Sequence, residues 1–316
     1  MVTAARRAGR FGSVVTAMAT PFDADGRLDI DGAVALARYL VDNGSDGLVV
    51  TGTTGEGPTL SDSERTQLWA AVAREVTVPV IAGSTTNDTA HSVELTRMAT
   101  EAGAAGILAV TPYYNRPSQN GIAAHFAEVA AATSLPVLVY DIPVRTGCKL
   151  ALDTMLQLVH VFPNIVGVKD ASGDPAGAAR LMAKAGSGFD CYSGDDSMTL
   201  PLLAVGAVGV VSVASHWVGQ EVGEMIRLYL DGDVEGAREL NAALIDAISF
   251  QSSDEAPNPL PAKAVLRARG LPAGECRLPM GPAPDWLEPK ARTMLANLDL
   301  WRSSRPARTG VTSPNA

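Results

Sequence analysis

The sequence predicts an α/β fold, a (β/α)8 TIM barrel with a small C-terminal helical domain. Short runs rich in β-branched residues alternate with longer amphipathic segments through the first three-quarters of the 316 residues. Eight such runs can be counted, and they are almost continuously apolar. Apolar strands of this kind are buried on both faces, which is typical of a parallel sheet covered by helices. Eight strand–helix units at this spacing favour a closed barrel over an open doubly wound sheet.

The strands and helices follow from the apolar pattern. Amphipathic segments with apolar residues at three- and four-residue steps predict helices at Ile30–Asn43, Ser61–Val76, Thr89–Ala102 and Asn120–Ala132. Ser61 and Glu64 have the spacing of a capping box, which predicts a helix start there. The predicted strands are Ser13–Met18, Gly47–Val50, Val78–Gly83, Gly106–Val110, Pro136–Tyr140, Ile165–Lys169, Asp190–Gly194 and Gly209–Val213.

The alternation stops after the eighth unit. Helices are predicted at Asp233–Phe250, from Ala262 to Arg269, and at Trp286–Leu298, with a proline-rich stretch between the first two. We therefore predict a catalytic barrel over residues 11–232 and a helical domain over 233–302. Residues 303–316 are rich in Ser, Pro, Arg and Thr, so we expect this tail to be disordered.

Composition excludes several classes of function. A net charge of −9 argues against nucleic acid as a partner, because phosphate binding needs clustered basic residues. The three cysteines and four histidines show no metal-ligand spacing, so neither a metal site nor a disulfide scaffold is expected. No apolar stretch approaches the roughly 20 residues of a membrane span, and the first twelve residues lack a signal-peptide core. We expect no membrane association and a cytoplasmic location.

Lys169 ends the apolar run Ile165–Lys169, where a charged side chain is unusual. At the mouth of a barrel, partial desolvation favours the neutral amine, which is the nucleophile that forms Schiff bases with carbonyl compounds. An ordinary lysine whose ammonium reaches solvent from the strand end is the alternative. Lys169 alone does not decide between the two.

The loop after the second strand is rich in glycine and threonine. In a TIM barrel the loops after the strands build the active site. Glycines let the backbone approach a ligand, and exposed N–H groups with the hydroxyls of Thr53 and Thr54 suit a carboxylate or oxyanion. Many turns share this composition, so the loop indicates an anion-binding site only in combination with the residues at other strand ends.

The fourth and fifth strands also end in residues that suit catalysis. Tyr113 and Tyr114 follow the fourth strand, and Tyr140 ends the fifth, with Arg145 five residues later. Taken singly, the tyrosines could be rim or subunit-contact residues, and Arg145 a surface charge. Together with Lys169 and the threonines they supply a nucleophile, proton carriers, an anion cradle and a carboxylate clamp at one end of the barrel.

Six motifs in combination resemble the dihydrodipicolinate synthase / N-acetylneuraminate lyase family of class I aldolase-type barrels. The similarity runs from about Phe11 to Leu300. It implies a TIM barrel that acts on pyruvate through a lysine imine, without a metal or organic cofactor. The matching motifs are Gly52–Glu56, Thr111–Tyr114, Tyr140–Gly147, Gly167–Asp170, Gly209–Ser212 and Pro257–Lys263.

Within the family, Arg145 and the double threonine favour the synthase branch, whose substrates are pyruvate and L-aspartate-4-semialdehyde in lysine and diaminopimelate biosynthesis. An arginine two residues after Pro143 resembles the residue that holds the semialdehyde carboxylate there. Another pyruvate-dependent aldolase or dehydratase acting on a sugar acid is the alternative. A barrel retained as a binding or regulatory protein is a third hypothesis, against which the intact set of site residues argues.

The resemblance also implies the catalytic roles. Lys169 forms the imine, and Tyr140, Thr54 and Tyr114 form a proton relay. In the family Tyr114 reaches into the site of a neighbouring subunit, so the resemblance implies a homotetramer built as a dimer of dimers.

The implied substrate-binding residues are four. Thr53 and Thr54 bind the pyruvate carboxylate, Arg145 holds the second carboxylate, and the Val211 carbonyl contacts the site. Asp141 stands where many synthases have asparagine, and we expect it to neutralise Arg145 in part.

The family's lysine-inhibition site is also altered. His91 stands where lysine-inhibited members have an acidic residue, with Asp62 and Arg65 nearby in the pattern. We therefore predict weak inhibition by lysine.

Overall fold

Eight parallel strands close into a barrel in the computed structural model, which describes residues 9–305. Each strand pairs with the next in the chain, and the eighth pairs with the first. The predicted fold class and all eight strands are confirmed, with ends that differ by at most two residues. The strands are β1 Val14–Ala17, β2 Gly47–Val50, β3 Val80–Gly83, β4 Gly106–Val110, β5 Val137–Asp141, β6 Ile165–Asp170, β7 Asp190–Ser193 and β8 Gly209–Ser212.

Helices connect the strands and cover the outside of the barrel. The predicted capping box at the start of α2 is present: Ser61 Oγ accepts from the Glu64 backbone N–H, and Glu64 accepts from that of Ser61. The helices are α1 Ile30–Asp42, α2 Asp62–Glu75, α3 Thr89–Glu101, α4 Gln119–Ala131, α5 Pro143–Thr146, α6 Leu152–Val161, α7 Pro175–Ala185, α8 Thr199–Ala204, α9 Ser215–Asp231, α10 Val234–Ser249, α11 Leu260–Ala268 and α12 Leu287–Ser304. None of the helices within residues 9–305 is both long enough and apolar enough to cross a bilayer.

The barrel interior is a packed core rather than a channel. Inward-facing Val49, Ile81, Leu108 and Leu138 belong to one buried cluster, which Phe11 joins from the N-terminal end. The backbone N–H of Phe11 donates to the hydroxyl of Tyr192 on β7 at 3.0 Å. Because the N-terminal end is closed in this way, the opening for a ligand lies at the C-terminal ends of the strands.

Helices α10, α11 and α12 pack against α9 and share its core. Their buried residues Leu244, Val265 and Leu295 lie in one cluster with Val14 and Val210 of the barrel strands. The predicted boundary between residues 232 and 233 falls in the turn between α9 and α10. The C-terminal helices are therefore continuous with the barrel in their packing.

The last helix extends further than the sequence indicates. Ser303 and Ser304, which the composition assigns to a disordered tail, are its final residues, and their hydroxyls donate to carbonyls one turn back. Arg302 anchors this end through an ion pair with Glu221 of α9 at 2.6 Å. The rest of the predicted tail, residues 306–316, lies outside the described residues.

Candidate active site

Lys169 and Tyr140 are neighbours at the C-terminal ends of β6 and β5. The two residues are paired in the strand register, and Lys169 Nζ lies 4.0 Å from the centroid of the Tyr140 ring. Lys169 is 6% exposed and Tyr140 5%. The lysine therefore does not extend its ammonium into solvent, and its amine is held over the face of a phenol ring.

The loop after β2 is fixed by an unusual backbone. Thr51 has a φ of 62°, and its hydroxyl lies 3.0 Å from the Gly83 carbonyl oxygen and accepts from Trp69 Nε1 at 2.8 Å. A Cβ at Gly57 would lie 2.3 Å from the Thr51 carbonyl oxygen, so only glycine allows this close approach. The loop that carries Thr53 and Thr54 is thereby held against β3.

A cavity of about 330 Å³ opens beside this loop at the C-terminal end of the barrel. Its lining brings together four of the residues predicted from sequence, Thr53, Tyr114, Tyr140 and Arg145. Lys169 has its Nζ over the Tyr140 ring and is not itself part of the lining. The strand-end residues thus meet around one pocket, as the barrel geometry predicts.

The two threonines have different surroundings. Thr53 lines the cavity with the tyrosines, whereas Thr54 does not and is 2% exposed. Thr54 Oγ1 accepts a hydrogen bond from Nδ2 of Asn258, a residue of the C-terminal region, at 3.0 Å. Of the two threonines, Thr53 shares the cavity wall with Tyr140 and Tyr114, whereas the Thr54 hydroxyl is held by Asn258.

Tyr114 is exposed to an unusual degree for an aromatic residue in a cavity wall. Its exposed fraction is 88%, and its φ of 72° is in the left-handed region. Left-handed backbone at a bulky residue persists only where its surroundings impose it, and such positions cluster at functional sites. The phenol is thus presented outward by a constrained turn, with little cover from its own chain.

Arg145 and Asp141 point to different places. Arg145 is exposed on α5 and lines the cavity, and its guanidinium has no ion-pair partner within residues 9–305. Asp141 is buried outside the barrel wall, where its carboxylate accepts from the Leu150 N–H at 3.2 Å. Burial raises the pKa of Asp141 to about 6. The expectation that Asp141 neutralises Arg145 by pairing with it is wrong, because alternation along β5 turns its side chain away from the cavity.

Val211 lies on β8, buried in the barrel interior. The segment that follows it is held by Asp196, whose carboxylate accepts from the Ser212 hydroxyl and from the N–H groups of Val213 and Ala214 at 2.9 and 3.2 Å. Complete burial raises the pKa of Asp196. These bonds fix the strand end from which the Val211 carbonyl is predicted to reach the site.

A buried ion pair that the sequence did not reveal supports the β2 loop from the C-terminal side. Lys263 Nζ lies 2.6 Å from Glu56 Oε1, and the other Glu56 oxygen accepts from the Arg277 N–H at 2.8 Å. Burial lowers the pKa of Lys263, and Glu56 opposes that change. The available signal was the motif Pro257–Lys263, which had no assigned contact.

The residues tied to lysine inhibition are engaged with one another. His91 Nε2 lies 3.0 Å from both carboxylate oxygens of Asp62. Arg65 is buried, donates to the carbonyls of Leu60 and Gly57, and lines the same cavity as Tyr140. Within residues 9–305 no group of three or more histidine, cysteine or acidic side chains is placed to hold a metal ion.

Comparison with known proteins identifies the family of this chain. A family model described as the dihydrodipicolinate synthetase family matches residues 10–298. The chain belongs to this family. It is 49% identical over 273 residues to a 4-hydroxy-tetrahydrodipicolinate synthase of Moorella thermoacetica, covering 86% of this chain and 92% of the relative.

Two further relatives support the assignment. A 4-hydroxy-tetrahydrodipicolinate synthase of Acidothermus cellulolyticus is 50% identical over 281 residues, covering 88% of this chain and 90% of the relative. Among solved structures, the synthase of Cyanidioschyzon merolae with lysine bound matches with a TM-score of 0.88 at 41% identity, covering 92% of this chain and 99% of the other. Sequence similarity and structural similarity therefore both place the chain in the synthetase family.

Proposed function

We propose that this chain is a 4-hydroxy-tetrahydrodipicolinate synthase, a lyase that condenses pyruvate with L-aspartate-4-semialdehyde in lysine and diaminopimelate biosynthesis. The observation that carries the proposal is the buried Lys169 amine, 4.0 Å from the Tyr140 ring centroid, beside a cavity that Thr53 and Arg145 line. Relatives about half identical to this chain have that name. We expect the reaction to take place in the cytoplasm.

The chemistry begins at Lys169. Its neutral amine attacks the ketone carbon of pyruvate, and loss of water gives an imine. The protonated imine accepts electrons from the methyl C–H bond, so loss of a methyl proton gives an enamine. The enamine carbon then bonds to the aldehyde carbon of the semialdehyde, whose oxygen takes up a proton. The ring nitrogen of the product is supplied by the semialdehyde's own amino group, whose attack on the imine carbon releases Lys169. No metal or organic cofactor takes part.

Proton transfer is assigned to hydroxyl groups around the cavity. Tyr140 is adjacent to the amine and is the acid/base nearest the imine. The lining of the cavity supports Thr53 as the threonine of the relay, with Tyr114 leading to solvent. Thr54, which the sequence analysis places both in the relay and in the carboxylate cradle, is proposed to act in the cradle alone, together with Thr53.

Arg145 is proposed to hold the carboxylate of the semialdehyde. Its guanidinium is free of ion pairs within the described residues and lines the cavity, and a planar fork of donors suits a carboxylate. The Val211 carbonyl is proposed as a further contact from β8. A sugar-acid aldolase of the same family is the second candidate, and the clamp is the feature that argues against it.

The exposure of Tyr114 supports an oligomer. A phenol that is 88% exposed on its own chain would be covered if a second subunit packed against it. We propose a homotetramer, a dimer of dimers in which each Tyr114 completes the neighbouring site. Size-exclusion chromatography with light scattering measures the assembly directly.

A coupled assay tests the proposed function. Pyruvate is offered with L-aspartate-4-semialdehyde and with a panel of aldehydes derived from sugar acids. We expect turnover with the semialdehyde, and Arg145→Ala should raise its KM with little change in the KM for pyruvate. Turnover that is faster with a sugar-acid aldehyde, and indifferent to Arg145, would favour the second candidate.

A further inference from the structure

Asn258 is the residue through which the C-terminal region contacts the threonine cradle. It lies between α10 and α11, is 8% exposed, and donates from Nδ2 to Thr54 Oγ1 at 3.0 Å. The two residues are 204 positions apart in the chain. The Oδ1 atom of the same amide is buried without a hydrogen-bond partner. Within the described residues, the side-chain amide of Asn258 therefore makes one hydrogen bond, the one to Thr54.

This contact determines how the Thr54 hydroxyl can be used. A hydroxyl has one proton to donate and two lone pairs that accept. Because Asn258 occupies a lone pair, the proton of Thr54 is left to be donated elsewhere. A hydroxyl fixed in this sense is a donor, which is the property that a carboxylate ligand requires.

The amide is itself held in place by buried charges nearby. Lys263, five residues after Asn258, pairs with Glu56, two residues after Thr54, and both side chains are at most 1% exposed. Lys263 also donates to the Glu275 carbonyl at 3.0 Å. The segment Asn258–Lys263 therefore contacts the β2 loop at two points, through Thr54 and through Glu56. The second contact holds Asn258 in position against Thr54.

We propose that Asn258 is a positioning residue, which orients the hydroxyl of Thr54 as a donor to the carboxylate of the α-keto acid substrate. The inference rests on the proposed function for the identity of that ligand. The inference also gives the C-terminal region a specific role. Through Asn258, this region determines that the Thr54 hydroxyl acts as a hydrogen-bond donor to the bound carboxylate. Asn258 itself touches no reacting atom in this account.

Two substitutions at Asn258 distinguish the direction of its hydrogen bond with Thr54 from the mere presence of a side chain there. Asn258→Ala removes the donor and leaves the Thr54 hydroxyl free to rotate. Asn258→Asp keeps the shape, but its carboxylate accepts the Thr54 proton and turns the threonine lone pairs towards the ligand. Since one net hydrogen bond changes affinity by about tenfold at most, we expect up to about tenfold weaker pyruvate binding in Asn258→Ala. Asn258→Asp should bind pyruvate more weakly still.

The readout is the pyruvate concentration that half-saturates borohydride trapping on Lys169, together with the split between KM and kcat. A loss of cradle binding raises the half-saturating concentration and KM for pyruvate while kcat changes little. The matched control is Asn241→Ala on α10, which removes another asparagine whose Oδ1 is buried and unpartnered. Within the described residues Asn241 makes no hydrogen bond to the β2 loop, so wild-type trapping is expected.

A double-mutant cycle tests whether Asn258 acts through Thr54. In a Thr54→Val background, Asn258→Ala should add little to the loss of pyruvate binding, because the hydroxyl it orients is gone. Additive effects, or an Asn258→Asp variant that binds pyruvate better than Asn258→Ala, would overturn the proposal. If the wild-type protein forms no trapped imine at all, the proposed function fails instead, so the two failures are distinguishable.

Discussion

Lys263 of α11 and Glu56 of the β2 loop form an ion pair of 2.6 Å in which neither side chain is more than 1% exposed. Glu56 has a φ of 53°, so the pair also holds a left-handed residue close in the chain to Thr53 and Thr54. Lys263 Nζ lies 4.1 Å from the centroid of the Phe22 ring, which packs on the same group. The C-terminal helices are thus joined to the active-site loop by buried charges as well as by apolar packing.

Breaking this pair on one side is expected to be costly. Lys263→Met leaves Glu56 buried without its counter-charge, and such a change typically lowers the free energy of unfolding by about 3 to 5 kcal/mol. Combining Lys263→Met with Glu56→Gln removes the uncompensated charge and should recover part of that loss. Urea unfolding measures the free energy of unfolding of the single and the double variant. Lys184→Met, at an exposed position on α7, is the control and should change stability by less than about 0.5 kcal/mol. A Lys263→Met variant as stable as the control would contradict the expected cost of leaving Glu56 unpaired.

Asp141 makes stability depend on pH. Burial raises its pKa to about 6, whereas an unfolded aspartate has a pKa near 3.9. Between these values the folded chain keeps a proton that the unfolded chain has lost, so this residue's contribution to stability falls as the pH rises from about 4 to about 6. Asp141→Asn removes the penalty and can still accept from Leu150.

The variant should therefore be more stable than the wild type at pH 7, by up to about 3 kcal/mol for a shift of two units, and similar to it near pH 4. Denaturant unfolding at both pH values measures the difference. Asp285→Asn, at an exposed position, serves as the control. An Asp141→Asn variant whose stability difference from the wild type is the same at pH 4 and pH 7 would contradict this account.

The proposed sharing of active sites between subunits predicts how mixtures of inactive variants behave. Tyr114→Phe and Lys169→Ala should each be inactive alone. If Tyr114 serves the neighbouring site, a hybrid dimer has one site with both groups intact, so an equal mixture should regain about a quarter of wild-type activity. Mass spectrometry confirms that the subunits exchange. No recovery in an exchanged mixture would place Tyr114 in its own chain's site or outside the relay.

Lysine should inhibit weakly. Asp62 is engaged by His91 at 3.0 Å, and an imidazole does not pair with an ammonium group. We expect half-inhibition above about 1 mM, a modest affinity on the free-energy scale. His91→Glu supplies the missing carboxylate and should increase sensitivity to lysine, whereas His160→Glu, at an exposed position on α6, should not. Half-inhibition of the wild type well below that concentration would show that a lysine site survives.

The fold and most of the cavity could be predicted from sequence because both follow from local patterns. Apolar runs fix the strands, and parallel strands of a barrel place their C-terminal residues together, so Lys169, Tyr140 and Arg145 could be expected at one site. The pattern could not tell Thr53 from Thr54, because which of two adjacent threonines lines the cavity depends on the backbone of a tight loop and not on its composition.

Contacts between distant segments were equally out of reach. Asn258 and Thr54 are separated by 204 positions, and their hydrogen bond depends on how the C-terminal helices pack on the barrel. The motif around Lys263 identified the segment without revealing its partner Glu56. Asp141 shows the converse: its sequence neighbours suggested a role near Arg145, but its side chain lies on the other face of β5.

The central claim is that Lys169 forms a covalent imine with pyruvate. Incubation with pyruvate and borohydride, followed by peptide mass spectrometry, tests it directly. We expect one reduced pyruvyl group per chain on the peptide that contains Lys169, and no such group in Lys169→Ala. Absence of the adduct in the wild type, or an adduct on Lys149 or Lys263 instead, would contradict the account.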